Sequence, residues 1–210
     1  MKIAITGDAS KTIFSNRFGE HYHSVYGAVN ESTHVFVNAG YLAVSVLAVS
    51  ILEVGFGTGL NAWLTMKKAE SLNRKTLYET VELYPVDYAT VCELSEEKSF
   101  LELHTAQWEQ SVEITPTFSL LKRNVDFLTT SFERSFDVVY FDAFSPAVQP
   151  EMWSETVFRR LYEAMNSNAV LTTYCAKGEV RRTMQKAGFI TERLPGPTGK
   201  REMLRAKKIL

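Results

Sequence analysis

Three glycines spaced at every second residue follow an acid, and this spacing is the first pattern in the chain that could do chemistry. Glu53 precedes Gly55, Gly57 and Gly59, and an apolar run stands directly before them. A dinucleotide fingerprint needs glycine where this chain has Leu60, and a phosphate-binding P-loop needs a Lys followed by Ser or Thr, which is missing. The loop is therefore either a tight turn without a ligand or a close backbone approach to a ligand not held through phosphates.

Acids fall at or near the ends of successive predicted strands. They are Glu53, Glu82, Asp126 and Asp142. Because open α/β sheets bind ligands at the carboxyl ends of their strands, we expect these acids along one edge of the sheet. Such acceptors suit a cationic ligand rich in hydroxyl and amino groups. Taken singly, each acid is also compatible with a helix cap.

The acid followed by alternating glycines is similar to the loop of class I S-adenosylmethionine (SAM) methyltransferases. The resemblance implies which part of the cofactor each of these residues would contact. The amino-acid end would be held by Glu53, Gly55, Gly57, Thr58, Gly59 and Asn61. Glu82 would bind the ribose, and Asp126 with Phe127 would bind the adenine.

Asp142 and Phe144 stand side by side at the end of a strongly apolar strand and are the candidates for acceptor chemistry. A carboxylate beside an aromatic ring can orient an amine and a flat base. An alkyl amine with a pKa near 10 is almost all ammonium at neutral pH, so forming the neutral nucleophile costs roughly 4 kcal/mol. We therefore expect Asp142 to position the amine and to accept its proton late, with geometry doing most of the work.

The segment His21-Tyr22-His23 places two imidazoles one residue apart. A metal site would need a third ligand, and none is evident, so no metal is predicted. Tyr22, His23 and Glu31 are instead interpreted as substrate contacts that stack on or hydrogen-bond to a base, with surface packing as the alternative. Cys92 and Cys175 form no C-x-x-C pair and predict neither a disulfide nor a zinc site.

Alternating strands and helices predict a doubly wound α/β sheet that positions these residues. Residues 1–40 are predicted as a small N-terminal β lobe with strands at Lys2–Ile5 and His34–Val37, and residues 41–210 as the main domain. A helix is expected from Leu60 to Asn73, and another opening at Pro150. The chain is expected to close with an antiparallel hairpin that joins residues 189–194 to 202–206.

Charge is unevenly distributed along the chain. Net charge is −1, yet residues 159–210 contain twelve basic and four acidic side chains, which sum to +8 and leave −9 for the remainder. A basic quarter of this kind predicts either a phosphate-binding surface or an ordinary solvated face. No apolar run approaches the roughly 18 residues of a membrane span, and the start of the chain lacks the layout of a signal peptide. A cytoplasmic protein without a membrane partner is expected.

Longer motifs resemble the methyltransferase component of the bacterial tRNA wobble-uridine modification system, the MnmC type. They are Gly19–Ser24, Glu53–Asn61, Tyr140–Pro146, Glu192–Pro197 and Gly199–Ala206. The resemblance implies a class I methyltransferase Rossmann-like fold, SAM as cofactor and methylation of 5-aminomethyl-(2-thio)uridine to 5-methylaminomethyl-(2-thio)uridine in tRNA. It places Asp142 at the acceptor and the basic quarter on tRNA, through Arg181, Arg182, Lys200 and Arg201.

Many members of that family fuse this module to a flavin-dependent oxidoreductase, and this chain resembles the stand-alone form. FAD is therefore not expected, and a separate enzyme is expected to supply the aminomethyl uridine. Two other interpretations stay open. One is a small-molecule amine methyl- or aminopropyltransferase on the same sheet, and the other is a non-catalytic module that binds SAM or RNA.

Overall fold

The N-terminal segment forms a small antiparallel sheet and a short helical stretch. The computed structural model describes residues 1–209. Strands β1 (Lys2–Ile5), β2 (Lys11–Ser15) and β3 (Glu20–His21) pair in the order β1-β2-β3. Helix α1 (Ala28–Ser32) then runs directly into a π-helical turn, Thr33–Asn38.

The remaining elements build one large sheet and the helices that cover it. Its strands are β4 (Ala48–Val54), β5 (Lys75–Val81), β6 (Ser111–Thr115), β7 (Phe118–Arg123), β8 (Phe136–Phe141), β9 (Met165–Thr173), β10 (Ile190–Pro195) and β11 (Glu202–Lys207). The helices are α2 (Leu60–Leu72), α3 (Tyr88–Leu94), α4 (Lys98–Thr105), α5 (Glu155–Ala164) and α6 (Gly178–Lys186). Short 3₁₀ turns occur at Tyr41–Ala43 and Pro150–Trp153.

The strand order of the large sheet is β10-β11-β9-β8-β4-β5-β7-β6. Strands β9, β8, β4, β5 and β7 run parallel, while β6, β10 and β11 pair antiparallel with their neighbours. From β4 the chain builds outward through β5 and β7, then returns to β8 on the other side. The order in which strands are added to the sheet therefore reverses between β4 and β8, and a sheet of this type binds ligands in the crevice at that point. The predicted fold class and C-terminal hairpin are confirmed.

Hydrophobic cores cover both faces of the sheet because apolar residues occupy both alternating positions of its central strands. In β8, Val139 and Phe141 join the cluster formed with α5 and α6, whereas Val138 and Tyr140 join the cluster formed with α2. The glycine loop lies between β4 and α2. Helix α2 follows Gly59 and ends at Asn73, whose φ of 48° gives the left-handed cap that commonly stops a helix.

Two predicted elements are wrong. His34–Val37 was expected as a strand, but it forms the π-helical turn, because the helix from α1 continues and buries Val35 and Phe36 against the large sheet. The helix expected from Pro150 begins instead at Glu155, where the Ser154 hydroxyl accepts a hydrogen bond from the Val157 N–H. Before that cap, residues 150–153 form only a 3₁₀ turn.

The division of the chain at residue 40 stays a prediction. Among residues 1–209, no helix is long and apolar enough to cross a membrane.

Candidate active site

A cavity of about 540 Å³ opens at the carboxyl ends of the parallel strands. Its floor is formed by residues that follow β4, β5, β7 and β8, including Gly55, Glu82, Asp126 and Asp142. The N-terminal segment supplies the facing wall, which includes Tyr22. This volume lies within the range of pockets that enclose a small-molecule ligand or cofactor.

The glycines of the loop are required by close approaches that the structure shows directly. Gly55 (φ 94°) and Gly57 (φ 51°) adopt backbone conformations that L side chains rarely occupy. A Cβ on Gly55 would lie 2.8 Å from the Asp142 carbonyl oxygen, and one on Gly57 would lie 2.9 Å from the Tyr22 ring. The loop therefore packs against both the β8 end and the N-terminal segment.

Glu82 links the end of β5 to the glycine loop. Its Oε2 accepts the Gly57 N–H at 3.0 Å, and its Oε1 accepts the Tyr84 N–H at 2.8 Å. Burial raises the pKa of the Glu82 carboxyl, and these backbone donors partly oppose the rise. A carboxylate has about four acceptor positions, so Glu82 keeps capacity for a ligand in the cavity.

Asp126 and Phe127 also line the cavity, one strand further from the loop. The Asp126 carboxylate accepts the Leu128 N–H at 2.8 Å, which fixes the turn after β7. The Phe127 ring is buried, and the Arg160 guanidinium lies 5.3 Å from its centre. A flat apolar wall with an acid beside it is thus present where an adenine site was predicted.

Glu53, Thr58, Gly59 and Asn61 lie behind the cavity wall and are not part of its lining. Glu53 is fully buried and accepts the Thr80 hydroxyl at 2.8 Å. Burial raises the pKa of Glu53 well above its usual range, and the Asp142 charge adds to the rise. Glu53 is thus enclosed by protein, which the sequence could not reveal, and its predicted contact with the cofactor stays a prediction.

Thr58, Gly59 and Asn61 connect the loop to groups on other elements. The Thr58 hydroxyl is hydrogen-bonded to His23 Nε2 at 2.6 Å. Asn61 Nδ2 donates to Asp142 Oδ2 at 2.8 Å. A Cβ on Gly59 would lie 2.7 Å from His104 Nε2. These residues fix the loop, Asp142 and His23 in place.

Asp142 lines the cavity beside the glycine loop. Burial raises the pKa of its carboxyl to about 7, whereas the Asn61 hydrogen bond and the Lys200 charge lower it and the Glu31 charge raises it. A carboxyl with this pKa is available as a proton acceptor near neutral pH.

Aromatic rings gather next to Asp142. The Phe144 ring stacks on Phe18 with centres 4.2 Å apart and meets the edge of Tyr22 at 5.0 Å. Phe18 was not identified from the sequence as a site residue, although it directly precedes the Gly19–Ser24 motif. Together these rings form an apolar, aromatic wall beside the carboxylate.

Lys200 was predicted to meet phosphate, which stays a prediction, and the structure places this lysine in the lining of the cavity. Its Nζ donates to Glu31 Oε1 at 2.6 Å, and the other Glu31 oxygen accepts the Ser24 N–H at 2.8 Å. Lys200 Nζ also lies 4.3 Å from the centre of the Tyr174 ring, inside the cavity. The lysine is drawn inward because Glu31 is buried and needs a counter-charge.

Arg181, Arg182 and Arg201 do not line the cavity. The two neighbouring arginines lie on α6, and Arg201 lies in the turn between β10 and β11. Within residues 1–209, no group of three or more His, Cys, Asp or Glu side chains is arranged to hold a metal ion. The expected lack of a metal stays a prediction.

The topology and the site define the class of protein. Five parallel strands with an antiparallel C-terminal hairpin, and a glycine loop at the point of reversal, form the class I methyltransferase-like α/β fold. A family model described as S-adenosyl-L-methionine-dependent methyltransferase matches residues 92–209, and the chain belongs to that family.

Curated relatives with similar sequences include proteins called tRNA 5-methylaminomethyl-2-thiouridine biosynthesis bifunctional protein MnmC. The Cupriavidus metallidurans protein is 30% identical over 217 residues, covering 93% of this chain and 32% of the relative. The Magnetococcus marinus protein is 30% identical over 216 residues, covering 94% and 32%. The chain thus spans about a third of the length of these relatives.

Solved structures show the same fold. The crystal structure of MnmC2 from Aquifex aeolicus matches with a TM-score of 0.78 and 26% identity, over 98% of this chain and 69% of that one. Spermidine synthase from Thermotoga maritima matches with a TM-score of 0.55 and 14% identity, over 94% and 68%, which is a likeness of fold alone.

The residues present fit the cofactor that the family implies. Gly55 and Gly57 bring backbone to the cavity, Glu82 has free acceptor capacity, and Phe127 adds an apolar side chain to the lining. Among the residues that line the cavity, no cluster of cations suited to a diphosphate is present in the described chain.

Proposed function

We propose that the protein methylates the 5-aminomethyl group on the wobble (2-thio)uridine of tRNA, giving 5-methylaminomethyl-(2-thio)uridine. The observation that supports it most is the continuity of one cavity from the glycine loop and Glu82 to Asp142 and the Phe144 ring. The names of the relatives point to the same modification. The chain spans only about a third of the length of these relatives, so their activity is a proposal for this protein.

Within this proposal, the cofactor contacts are Gly55, Gly57, Glu82, Asp126 and Phe127, while Glu53, Thr58, Gly59 and Asn61 hold that wall in place. When bound, SAM supplies a methyl group on a sulfonium, an electrophile with a good leaving group. Asp142 accepts a hydrogen bond from the acceptor amine and takes up its proton as the nitrogen becomes bonded to carbon. Its raised pKa of about 7 makes this carboxylate a better base than an ordinary aspartate.

The remaining residues orient the nucleoside and keep water away. Phe144 and Tyr22, whose rings meet edge to face at 5.0 Å, offer aromatic contacts for the uracil ring. His23 is buried, and burial lowers its pKa to about 4, so at neutral pH it acts as a neutral hydrogen-bonding group. Holding the amine and carboxylate in one geometry supplies much of the rate.

The tRNA backbone would contact the basic C-terminal quarter, with Arg181, Arg182 and Arg201 as phosphate contacts. Neither FAD nor a metal takes part in this step. A separate enzyme supplies the aminomethyl uridine, and the reaction takes place in the cytoplasm. Residues 1–40 act as a lobe that covers the cavity of the 41–210 domain.

The test uses tRNA from a strain that accumulates 5-aminomethyl uridine. The protein is incubated with SAM labelled in the methyl group, and the tRNA is digested to nucleosides. We expect label in 5-methylaminomethyl uridine and none with Asp142→Ala. Label in a small amine but not in tRNA would favour a small-molecule transferase, and cofactor binding without transfer would favour a binding module; either would refute the proposal.

A further inference from the structure

Lys200 is the one lysine or arginine that lines the cavity in the part of the chain the structure describes. Carboxylates surround the same space. They are Glu20, Glu31, Glu82, Asp126 and Asp142. An acceptor amine entering this space meets mainly negative charge, which favours its ammonium form. The ammonium has no lone pair with which to attack a methyl group.

The Lys200 side chain is held from two directions. Glu31 Oε1 accepts its Nζ at 2.6 Å, and Glu31 is itself fixed by the Ser24 N–H at 2.8 Å. The Tyr174 ring lies 4.3 Å below Nζ, and the Tyr174 hydroxyl donates to the Ala143 carbonyl at 2.9 Å. The residue under Lys200 is thus anchored to the neighbour of Asp142.

The backbone of Lys200 is also fixed, in the turn of the C-terminal hairpin. Its N–H donates to the Pro197 carbonyl at 2.9 Å, and the Gly196 N–H donates to the Arg201 carbonyl at 3.0 Å. Gly199 (φ 84°) packs so closely on Tyr26 that a Cβ there would lie 2.5 Å from the ring. The turn is built to present this lysine to the cavity.

We propose that Lys200 lowers the proton affinity of an amine bound beside Asp142 and so raises the fraction of the acceptor that is in its neutral, nucleophilic form. The inference rests on the proposed function of this cavity as an amine methylation site. It assigns Lys200 a role inside the cavity in place of the phosphate contact expected from the sequence. Lys200 acts through charge, and Glu31 and Tyr174 position it.

Charges of both signs act on the pKa of the bound amine. A like charge disfavours protonation of the amine, and nearby carboxylates favour it. The groups that face this end are Asp142 from β8, Tyr174 from β9, and Glu20, Tyr22, His23 and Glu31 from the N-terminal segment. Lys200 is the cation among them at neutral pH, because His23 has a pKa of about 4. The Lys200 charge also lowers the pKa of Asp142, although burial has the larger, opposite effect.

The first experiment measures single-turnover methyl transfer against pH, with saturating SAM and an anticodon stem-loop that contains 5-aminomethyl uridine. Removing Lys200 leaves the buried Glu31 without its counter-charge, so the single variant changes more than one charge interaction. Lys200→Met is therefore compared in the wild-type and the Glu31→Gln backgrounds. Lys200→Arg keeps the charge, and Lys98→Met removes an equal charge from an exposed position on α4.

In the Glu31→Gln background, Lys200→Met is expected to move the midpoint of the rate profile up by about one pH unit, a roughly tenfold loss below the midpoint that is recovered above it. Lys200→Arg should restore the midpoint, and Lys98→Met should leave it unchanged. A loss that is equal at every pH would mean a merely structural role and would overturn the inference.

A second readout separates this inference from the proposed function. The pKa of the ¹³C-labelled Asp142 carboxyl is measured by NMR, with the resonance assigned from Asp142→Asn. It is expected to be higher in the Glu31→Gln/Lys200→Met variant than in Glu31→Gln, and unchanged by Lys98→Met. If the wild type transfers no methyl group to the stem-loop, the proposed function fails, and this titration still decides the charge effect of Lys200. An unchanged Asp142 pKa would overturn it.

Discussion

The raised pKa of Asp142 predicts that the residue placed at the acceptor lowers the stability of the free protein. Its pKa is about 7 in the folded chain against 3.8 in the unfolded one. Between these two pH values the folded state binds more protons than the unfolded state. The free energy of unfolding therefore falls as pH rises from 3.8 to about 7, and the full loss remains above pH 7. At 1.36 kcal/mol per unit, a shift of about three units gives an upper limit of about 4 kcal/mol.

Replacing Asp142 with Asn removes this opposition and keeps the shape of the side chain. The Asn61 amide can still donate to the new carbonyl oxygen at the position where it now donates to Asp142 Oδ2. Because the group borders a cavity that water reaches, we expect a gain of about 2–4 kcal/mol in the free energy of unfolding at pH 8. Near pH 4 the gain should vanish, since Asp142 is then protonated in the folded protein.

The assay is urea denaturation of wild type and Asp142→Asn at several pH values from 4 to 8.5, without cofactor. Asp87→Asn serves as a control of opposite sign, because backbone and side-chain hydrogen bonds from Thr90 lower the pKa of Asp87. Its stability loss should appear above the unfolded pKa of an aspartate. A difference between wild type and Asp142→Asn that is constant with pH, or a less stable variant at pH 8, would refute the reasoning.

Three further predictions follow from other contacts. Gly57→Ala should lose about 1–3 kcal/mol of stability, since φ is 51° and the new Cβ would meet Tyr22, and it should bind SAM more weakly in calorimetry. Gly19→Ala is the control, because its φ of 67° is also left-handed but its Cβ would meet open space. This control should lose only the stability that the backbone strain costs and should keep its affinity for SAM. The free energy of unfolding of the wild type should fall by about 3 kcal/mol through His23 as pH falls from 6.5 to 4, because the pKa of His23 in the folded protein is about 4. In denaturation curves, His23→Asn should lack this part of the pH dependence. A triple variant should bind tRNA more weakly in a filter-binding assay; it carries Arg181→Ala, Arg182→Ala and Arg201→Ala. The slope of the logarithm of the tRNA binding constant against the logarithm of the salt concentration should become shallower by about three. An unchanged slope would place the tRNA elsewhere.

Sequence pattern was sufficient for the features that local periodicity determines. The apolar run of β8 predicted a buried strand, and the position of Asp142 after it predicted the edge of the sheet on which this side chain lies. The same reasoning placed Glu82 and Asp126 on that edge. These residues follow their strands directly, so the sheet alone fixes where they lie.

Long-range packing decided what the sequence did not predict. Glu31 and Lys200 are separated by 169 positions, and no local pattern indicates that they pair. Glu53 stands at the predicted strand end, yet its side chain is buried and accepts the Thr80 hydroxyl, because both faces of β4 are covered at this end of the strand. His34–Val37 has the composition of a strand, but the continuing helix buries its apolar residues equally well.

The part of the cavity next to Asp142 is assembled from the N-terminal segment and the C-terminal hairpin as well as the sheet, and this explains why strand-end acids alone could not define it. The N-terminal segment contacts the sheet side at several polar points: Glu20 accepts the Ser145 hydroxyl at 2.5 Å, and His23 is bonded to Thr58 at 2.6 Å. The ion pair of Glu31 with Lys200 then ties this segment to the C-terminal hairpin. Each of these contacts lies beside Asp142 or the glycine loop, so a displacement of either segment would alter the charges and hydrogen bonds around them.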